Sequence, residues 1–248
     1  MSNAISFGRQ AATYAKGRPT YPDALFEWIA ENSPSMQRAL DIATGSGQAA
    51  QTLVKYFDHV DATDIDPAQI KAATPHAHIT YHTAPADQSG LPKQSVDAIN
   101  VATALHWFAG EAFWLEITRI AKPGAFFCAY VYSLAQVEGP IQTDYLDPLF
   151  DRLAPYWSAG NHLAMSGYTA ENTYCPFQTV NAPQFDAGGL WTAGQLMDFI
   201  ESWSAHLRAR DDGHAKALAE IRQAVLFAAG ETPLKVSLPL SILAAKIE

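Results

Sequence analysis

The chain has 248 residues, 48% of them hydrophobic, which is enough for a packed core and too apolar for a disordered segment. The net charge is −9 and the 16 Lys and Arg are scattered without a basic run, which argues against nucleic-acid binding through phosphate neutralisation. The 2 cysteines, Cys128 and Cys175, lack metal-site spacing, and no secretory signal or membrane-length apolar run is present, so a cytoplasmic protein with no membrane association is expected.

In chain order, the first twenty residues are polar with interspersed aromatics. Pro22 suits the first turn of a helix that carries Leu25, Trp28 and Ile29 at helical spacing. A strand is expected over 38–43, then a glycine turn at Gly45 and Gly47, then a helix over 48–57. A short strand follows at 60–64. Asp66-Pro67 opens the next helix, with Asp as N-cap and Pro at the first helical position. Strands are expected at 78–82 and 95–102, and a helix at 111–121 presents Phe113, Ile117 and Ile120 on one face. Lys122-Pro-Gly124 reads as a turn, and the apolar run 125–132, which includes Cys128, as a central buried strand. This alternation predicts a parallel sheet with helices on both faces and ligands outside the carboxyl ends of its strands.

After Ser133 the rhythm breaks. Residues 133–175 hold helical pieces and the aromatics Tyr145, Phe150, Tyr156, Trp157, Tyr168 and Tyr174. A strand is expected over 177–185, and helices over 191–203 and 215–229. A closing strand over 234–247 is interrupted at Pro239, which implies an edge, a bulge or a break. His162 reads as a surface residue.

Gly45-Ser-Gly47-Gln-Ala-Ala50 at a strand-to-helix turn lets a ligand approach bare backbone, and Asp64 stands where a carboxylate can take two ribose hydroxyls. These features point to a nucleoside ligand. Asp41 decides its kind. A carboxylate beside the turn would repel a dinucleotide's pyrophosphate but favours a ligand carrying an ammonium and a sulfonium. The chain also has no Tyr-x-x-x-Lys, which a short-chain dehydrogenase would show.

At these residues the sequence resembles the class I S-adenosylmethionine-dependent methyltransferases, closest to the small-molecule branch around trans-aconitate methyltransferase. Leu40-Asp-Ile-Ala-Thr-Gly-Ser-Gly47 matches the first motif, although Ala43-Thr44 replaces the commoner Gly-Cys or Gly-Ala. Asp64-Ile-Asp-Pro67 matches the ribose motif, Ala86-Asp87 the adenine segment, Ala104-Leu-His-Trp-Phe108 the loop after the fourth strand, and Ile120-Ala-Lys-Pro-Gly124 the turn before the fifth. The N-terminal pattern Tyr14, Arg18-Pro19, Tyr21-Pro22 also matches.

The resemblance implies a doubly wound, seven-stranded, mostly parallel α/β sheet of the Rossmann-like methyltransferase kind, in a single domain over 1–248. It places a lid at 1–22 and a helical substrate-cover insertion at 133–175. S-adenosylmethionine is the implied cofactor and no metal is implied. Asp41, Gly45 and Gly47 would hold the methionine end, Asp64 the ribose, and Ile65, Ala86 and Asp87 the adenine. The backbone at Ala102 and Thr103 would flank the sulfonium. Arg18 would clamp the cofactor carboxylate and Tyr14 close over it. Trp107 would shape the acceptor pocket. His106 is a candidate general base, weighed against a role in fixing its loop. The expected activity is methyl transfer to a small molecule, at a carboxylate or hydroxyl oxygen, by a monomer or weak homodimer. The alternatives are a noncatalytic S-adenosylmethionine-binding protein and an NAD(P)-dependent oxidoreductase.

Overall fold

The computed structural model describes residues 19–248. Seven strands form the main sheet in the order β3-β2-β1-β4-β5-β10-β7. They are β1 (Arg38–Ile42), β2 (His59–Asp64), β3 (Ile79–Thr83), β4 (Val96–Ala102), β5 (Ala121–Tyr132), β7 (Gln178–Val180) and β10 (Leu240–Ile247). The first five are parallel, and β10 runs antiparallel to both β5 and β7. The chain winds outward from β1 through β2 to β3, then returns to β4 on the other side. The order therefore reverses between β1 and β4, where an open α/β sheet leaves a crevice at its carboxyl edge.

The helices of this half are α1 (Asp23–Asn32), α2 (Gln48–Leu53), α3 (Pro67–Ala72) and α4 (Glu111–Ile120). β5 shows why both faces are covered. Phe126, Cys128 and Tyr130 pack with Leu25, Phe26 and Ile29 of α1, whereas Phe127, Ala129 and Val131 pack with Phe113, Trp114 and Ile117 of α4. Alternate side chains of a strand point to opposite faces, so an unbroken apolar run supplies two cores. Each fully buried Phe or Leu contributes about 1.5–3 kcal/mol of transfer free energy. Asp66 caps α3 as its sequence implies, accepting from Ala68 N at 2.8 Å.

Three local expectations are revised. The helix after the glycine turn ends at Leu53 and continues as turns. Lys122-Pro-Gly124 is a bulge inside β5: the β4–β5 register jumps between Val96↔Ala121 and Ala98↔Phe126. The bulge has a reason, because Lys122 Nζ lies 2.9 Å from both oxygens of buried Asp97. The strand expected over 177–185 is confined to Gln178–Val180.

A second sheet, β6-β9-β8, joins β6 (Gln136–Val137), β8 (Gly189–Trp191) and β9 (Leu234–Ser237). The expected closing strand is thus two strands in two sheets, with Pro239 at the crossing. Asp186 organises that crossing, accepting from Gly188 N and Leu238 N, both at 2.7 Å, and from Ser237 Oγ at 2.8 Å. Beyond β5 lie α5 (Asp147–Leu153), α6 (Ala159–Met165), α7 (Ala170–Thr173), α8 (Ala193–Glu201), α9 (Ser204–Ala209) and α10 (Ala215–Ala229). Leu149 and Leu153 of α5 pack with Leu196 and Phe199 of α8, Ala205 of α9 and Val225 of α10, so residues 132–157 share one core with residues 187–238, whereas Leu163 and Ala164 of α6 pack against the core of the main sheet. Among the described residues, no helix is long and apolar enough to cross a membrane, and no cluster of His, Cys, Asp and Glu could hold a metal ion.

Candidate active site

The crevice between β1 and β4 gathers most of the residues singled out by sequence. Gly45 and Gly47 both have left-handed backbone, φ +58° and +89°. At Gly47 a side chain is doubly barred, because a Cβ would stand 2.5 Å from the Tyr81 hydroxyl. Ala43 shares this conformation at φ +55°, so the residue that replaces the commoner glycine sits where glycine is favoured. Across the crevice Thr103, β-branched, is also left-handed at φ +53°. Its hydroxyl lies 2.8 Å from the Tyr21 hydroxyl and its N–H donates to Tyr130 O at 2.7 Å. Two strained residues thus end the two strands that flank the crevice.

Asp41 is fully buried beneath the turn. Its Oδ2 accepts from Thr44 Oγ1 at 2.5 Å and its Oδ1 from Asn100 Nδ2 at 2.7 Å. Burial raises its pKa to about 6 despite these bonds and a backbone bond at Ala50. Its carboxylate therefore lies under the crevice rather than in it. Sequence reasoning missed Asn100. The available signal was an amide inside an apolar strand, and the sheet register places Asn100 directly beside Asp41.

Asp64 ends β2 at the rim. Its Oδ2 accepts from Gly45 N and its Oδ1 from Asp66 N, each at 2.9 Å. Partial burial raises its pKa against those N–H donors. One carboxylate thereby ties the β2 end to the glycine turn.

Two cavities open along this edge. The larger, about 490 Å³, is lined by Ala43, Ile65, Ala86, Asp87, Phe108 and Trp107, among others. Ile65 is 66% exposed, a large apolar side chain presented at the cavity. The smaller, about 90 Å³, lies under the helices after β5 and is walled by Trp107, Trp157, Trp203 and Tyr132, with the polar groups of Thr103, His106, Ser133, Asn161 and Ser204. Of the described residues, Trp107 lines both cavities. It stands on a single 3-10 turn, Leu105–Trp107, and packs against α6: a Cβ on Gly160 would lie 2.9 Å from its Cζ3.

His106 Nδ1 lies 2.7 Å from the hydroxyl of buried Tyr168, and its ring centroid 4.6 Å from that of Trp107. His162 is exposed. Tyr14 and Arg18 lie outside the described residues. Trp203 and Ser204 were not anticipated, because they come from the α8–α9 junction, about thirty residues past the segment expected to cover the site.

The residues present suit S-adenosylmethionine. The larger cavity offers an apolar shelf at Ile65 and Phe108 with a carboxylate at Asp87, and a second carboxylate, Asp64, lies between that cavity and the bare backbone of the glycine turn. The charge beneath that turn is negative.

Fold and site together define a Rossmann-like α/β protein built for a nucleoside ligand without phosphate. The Methyltransferase domain family matches residues 40–129. A structure from Anaeromyxobacter dehalogenans, provisionally named a type II methyltransferase, is 38% identical with a TM-score of 0.81, covering 92% of this chain and 97% of that one. A provisionally named methyltransferase of Dictyostelium discoideum is 27% identical over 98% of this chain and 95% of its own length. An uncharacterized methyltransferase of Mycobacterium tuberculosis is 26% identical over 88% and 85%. The chain belongs to the class I S-adenosylmethionine-dependent methyltransferases, and S-adenosylmethionine is its cofactor.

Proposed function

We propose that the enzyme methylates an oxygen of a small molecule held in the smaller cavity. The observation that carries this reading is Trp107, whose side chain walls both cavities, so that ligands in the two would meet at its ring. When bound, the cofactor supplies a methyl group on a sulfonium. What the protein must add is alignment of the acceptor and exclusion of water.

In this reading Asp64 accepts from the ribose hydroxyls, Ile65 packs on adenine, and Asp87, next to Ala86, accepts from the adenine amine. Gly45 and Gly47 admit the methionine end. Asp41 favours its ammonium through charge from beneath the turn. The backbone at Ala102 and Thr103 flanks the sulfonium, and the Trp107 face suits that cation. Residues 133–175 act as substrate cover within a single domain.

Residues 1–22, with Tyr14 and Arg18, act as a lid. Hydrogen exchange over them is expected to slow when cofactor is added; equal protection with and without it would remove the lid.

The acceptor is a small acid or hydroxyl compound with an apolar body. Trp107→Ala is expected to lower turnover about a hundredfold or more, the cost of losing an aligned near-attack geometry, while affinity for S-adenosylhomocysteine, which lacks the sulfonium charge, falls far less, by about tenfold at most. Turnover is read from radiolabelled cofactor against a panel of small carboxylates, phenols and amines. Labelling of protein or nucleic acid alone, with no small molecule modified, would overturn the proposal.

A further inference from the structure

We propose that a cavity between α8, α9 and α10 is a second ligand site, separate from the active site, which binds a small organic carboxylate through Arg210, Arg222 and His206.

The cavity has a volume of about 320 Å³ and shares no lining residue with the two cavities of the active site. It lies where the chain leaves helical geometry at Asp212 and Gly213, between α9 and α10. Among the described residues, five buried side-chain nitrogen or oxygen atoms have no hydrogen-bond partner. Three of them belong to residues that wall this cavity: Nδ1 and Nε2 of His206 and Nη1 of Arg222. The other two, Asn100 Oδ1 and the Tyr130 hydroxyl, belong to the sheet beneath the active-site crevice. Buried polar groups are almost always satisfied, so three orphans around one cavity mark it as a place where a partner from outside the chain binds. The volume is far larger than one water needs.

His206 is 6% exposed. Burial, then the charges of Arg210 and Arg222, lower its pKa to about 4, so the ring is neutral near pH 7 and offers one N–H and one lone pair. The charges set the class of ligand. Arg222 Nη2 lies 2.7 Å from Asp198 Oδ1, and Nη1 lies 3.1 Å from Glu201 Oε2 without the alignment of a hydrogen bond. Arg210 places Nε and Nη2 on a single oxygen of Asp211, at 3.2 and 3.1 Å, which leaves its Nη1 to spare. Asp198 and Asp211 do not line the cavity. The lining therefore carries two guanidiniums against one carboxylate, Glu201, and its spare groups are chiefly donors. A carboxylate accepts from guanidinium N–H groups and from the imidazole N–H in charge-assisted bonds. A hydroxyl of the ligand or a water can donate to the remaining ring nitrogen. Leu207 and Leu218 add apolar wall, which suits an anion with a hydrocarbon body better than a bare inorganic ion.

The test uses full-length protein labelled with ¹⁵N-histidine, at neutral pH in a buffer free of carboxylate and phosphate. His206 is assigned by the signal missing in His206→Phe. Benzoate is expected to shift the His206 nitrogen signals and saturate. Benzyl alcohol, of similar body without the charge, should produce less than about a tenth of that shift at equal concentration, and so should inorganic phosphate, which has no body for the apolar wall. Arg210 is exposed, so Arg210→Gln should fold and should weaken the benzoate response at His206 about tenfold or more. Trp107→Ala, which alters the acceptor cavity, should leave the His206 response in place, separating this site from benzoate bound there. Unmoved His206 signals, an equal response to benzyl alcohol or phosphate, an undiminished response in Arg210→Gln, or loss of the response in Trp107→Ala would each overturn the proposal.

Discussion

Asp41→Asn is expected to make the enzyme more stable and a weaker binder of its cofactor. Burial lifts the Asp41 pKa from 3.8 to about 6. At 1.36 kcal/mol per unit, that shift means the ionised carboxylate costs the folded state about 3 kcal/mol relative to the unfolded chain. The sign follows from proton counting. Between about pH 4 and pH 6 the folded state still holds a proton that the unfolded state has released, so stability falls as pH rises through that window and stays low above it. Asparagine has no charge to desolvate. Asn100 Nδ2 can still donate to its oxygen, and the Thr44 hydroxyl can turn to accept from its amide, so the loss is one hydrogen bond of about 1 kcal/mol. The net gain at pH 7.5 is about 2 kcal/mol, or about 4–8 °C in melting temperature for a chain of this length. At pH 4.5 linkage leaves only about 1 kcal/mol of the carboxylate's cost, which the lost hydrogen bond cancels, so the two melting curves should coincide. On the proposed placement of the cofactor ammonium over the glycine turn, removing the negative charge beneath that turn is expected to weaken S-adenosylhomocysteine binding about tenfold or more. Circular-dichroism melts at the two pH values, with calorimetry at the higher, read all three quantities. A variant no more stable than wild type at pH 7.5, or equally stabilised at both pH values, would refute the argument that buried charge at Asp41 is held there for the ligand.

Two further outcomes follow from the site's geometry. Ala43 sits at φ +55°, so Ala43→Gly should relieve left-handed strain and raise stability by about 1 kcal/mol, seen as a rise of about 2–4 °C; an unchanged or lower melting temperature would contradict the assignment of strain there. Gly160→Ala adds a methyl 2.9 Å from the Trp107 ring, so it should shift Trp107 fluorescence and reproduce part of the turnover loss of Trp107→Ala, and an unperturbed ring would show that α6 does not hold it.

Much of the cofactor half was legible in the sequence because its signals are local. Strand periodicity, Asp66-Pro67 at a helix start and glycines at a strand end each act within a few residues, and the five parallel strands and the α3 cap stand where those signals place them. What was not legible depends on long-range packing. The Lys122-Pro-Gly124 turn became a bulge because Lys122 reaches Asp97, a partner set by the β4–β5 register. The strand break at Pro239 was visible, but its placement of the two halves in different sheets depends on Asp186, fifty residues earlier. Trp203 and Ser204 reach the smaller cavity because α8 and α9 share a core with α5, and no periodicity reports which helices meet. Asp41 was legible as a charge but not as a buried one. Its burial depends on Asn100 and Thr44 closing over both carboxylate oxygens.

The central claim is that the β1–β4 crevice holds S-adenosylmethionine with Asp64 on its ribose, and titration calorimetry tests it most directly. Wild-type protein should bind both S-adenosylmethionine and S-adenosylhomocysteine. Asp64→Ala should lose about a hundredfold or more in affinity for each, as expected when a carboxylate that takes two hydroxyl hydrogen bonds is removed, while NAD should bind neither protein. Undiminished binding in Asp64→Ala, or heat from NAD and none from S-adenosylmethionine, would contradict the account.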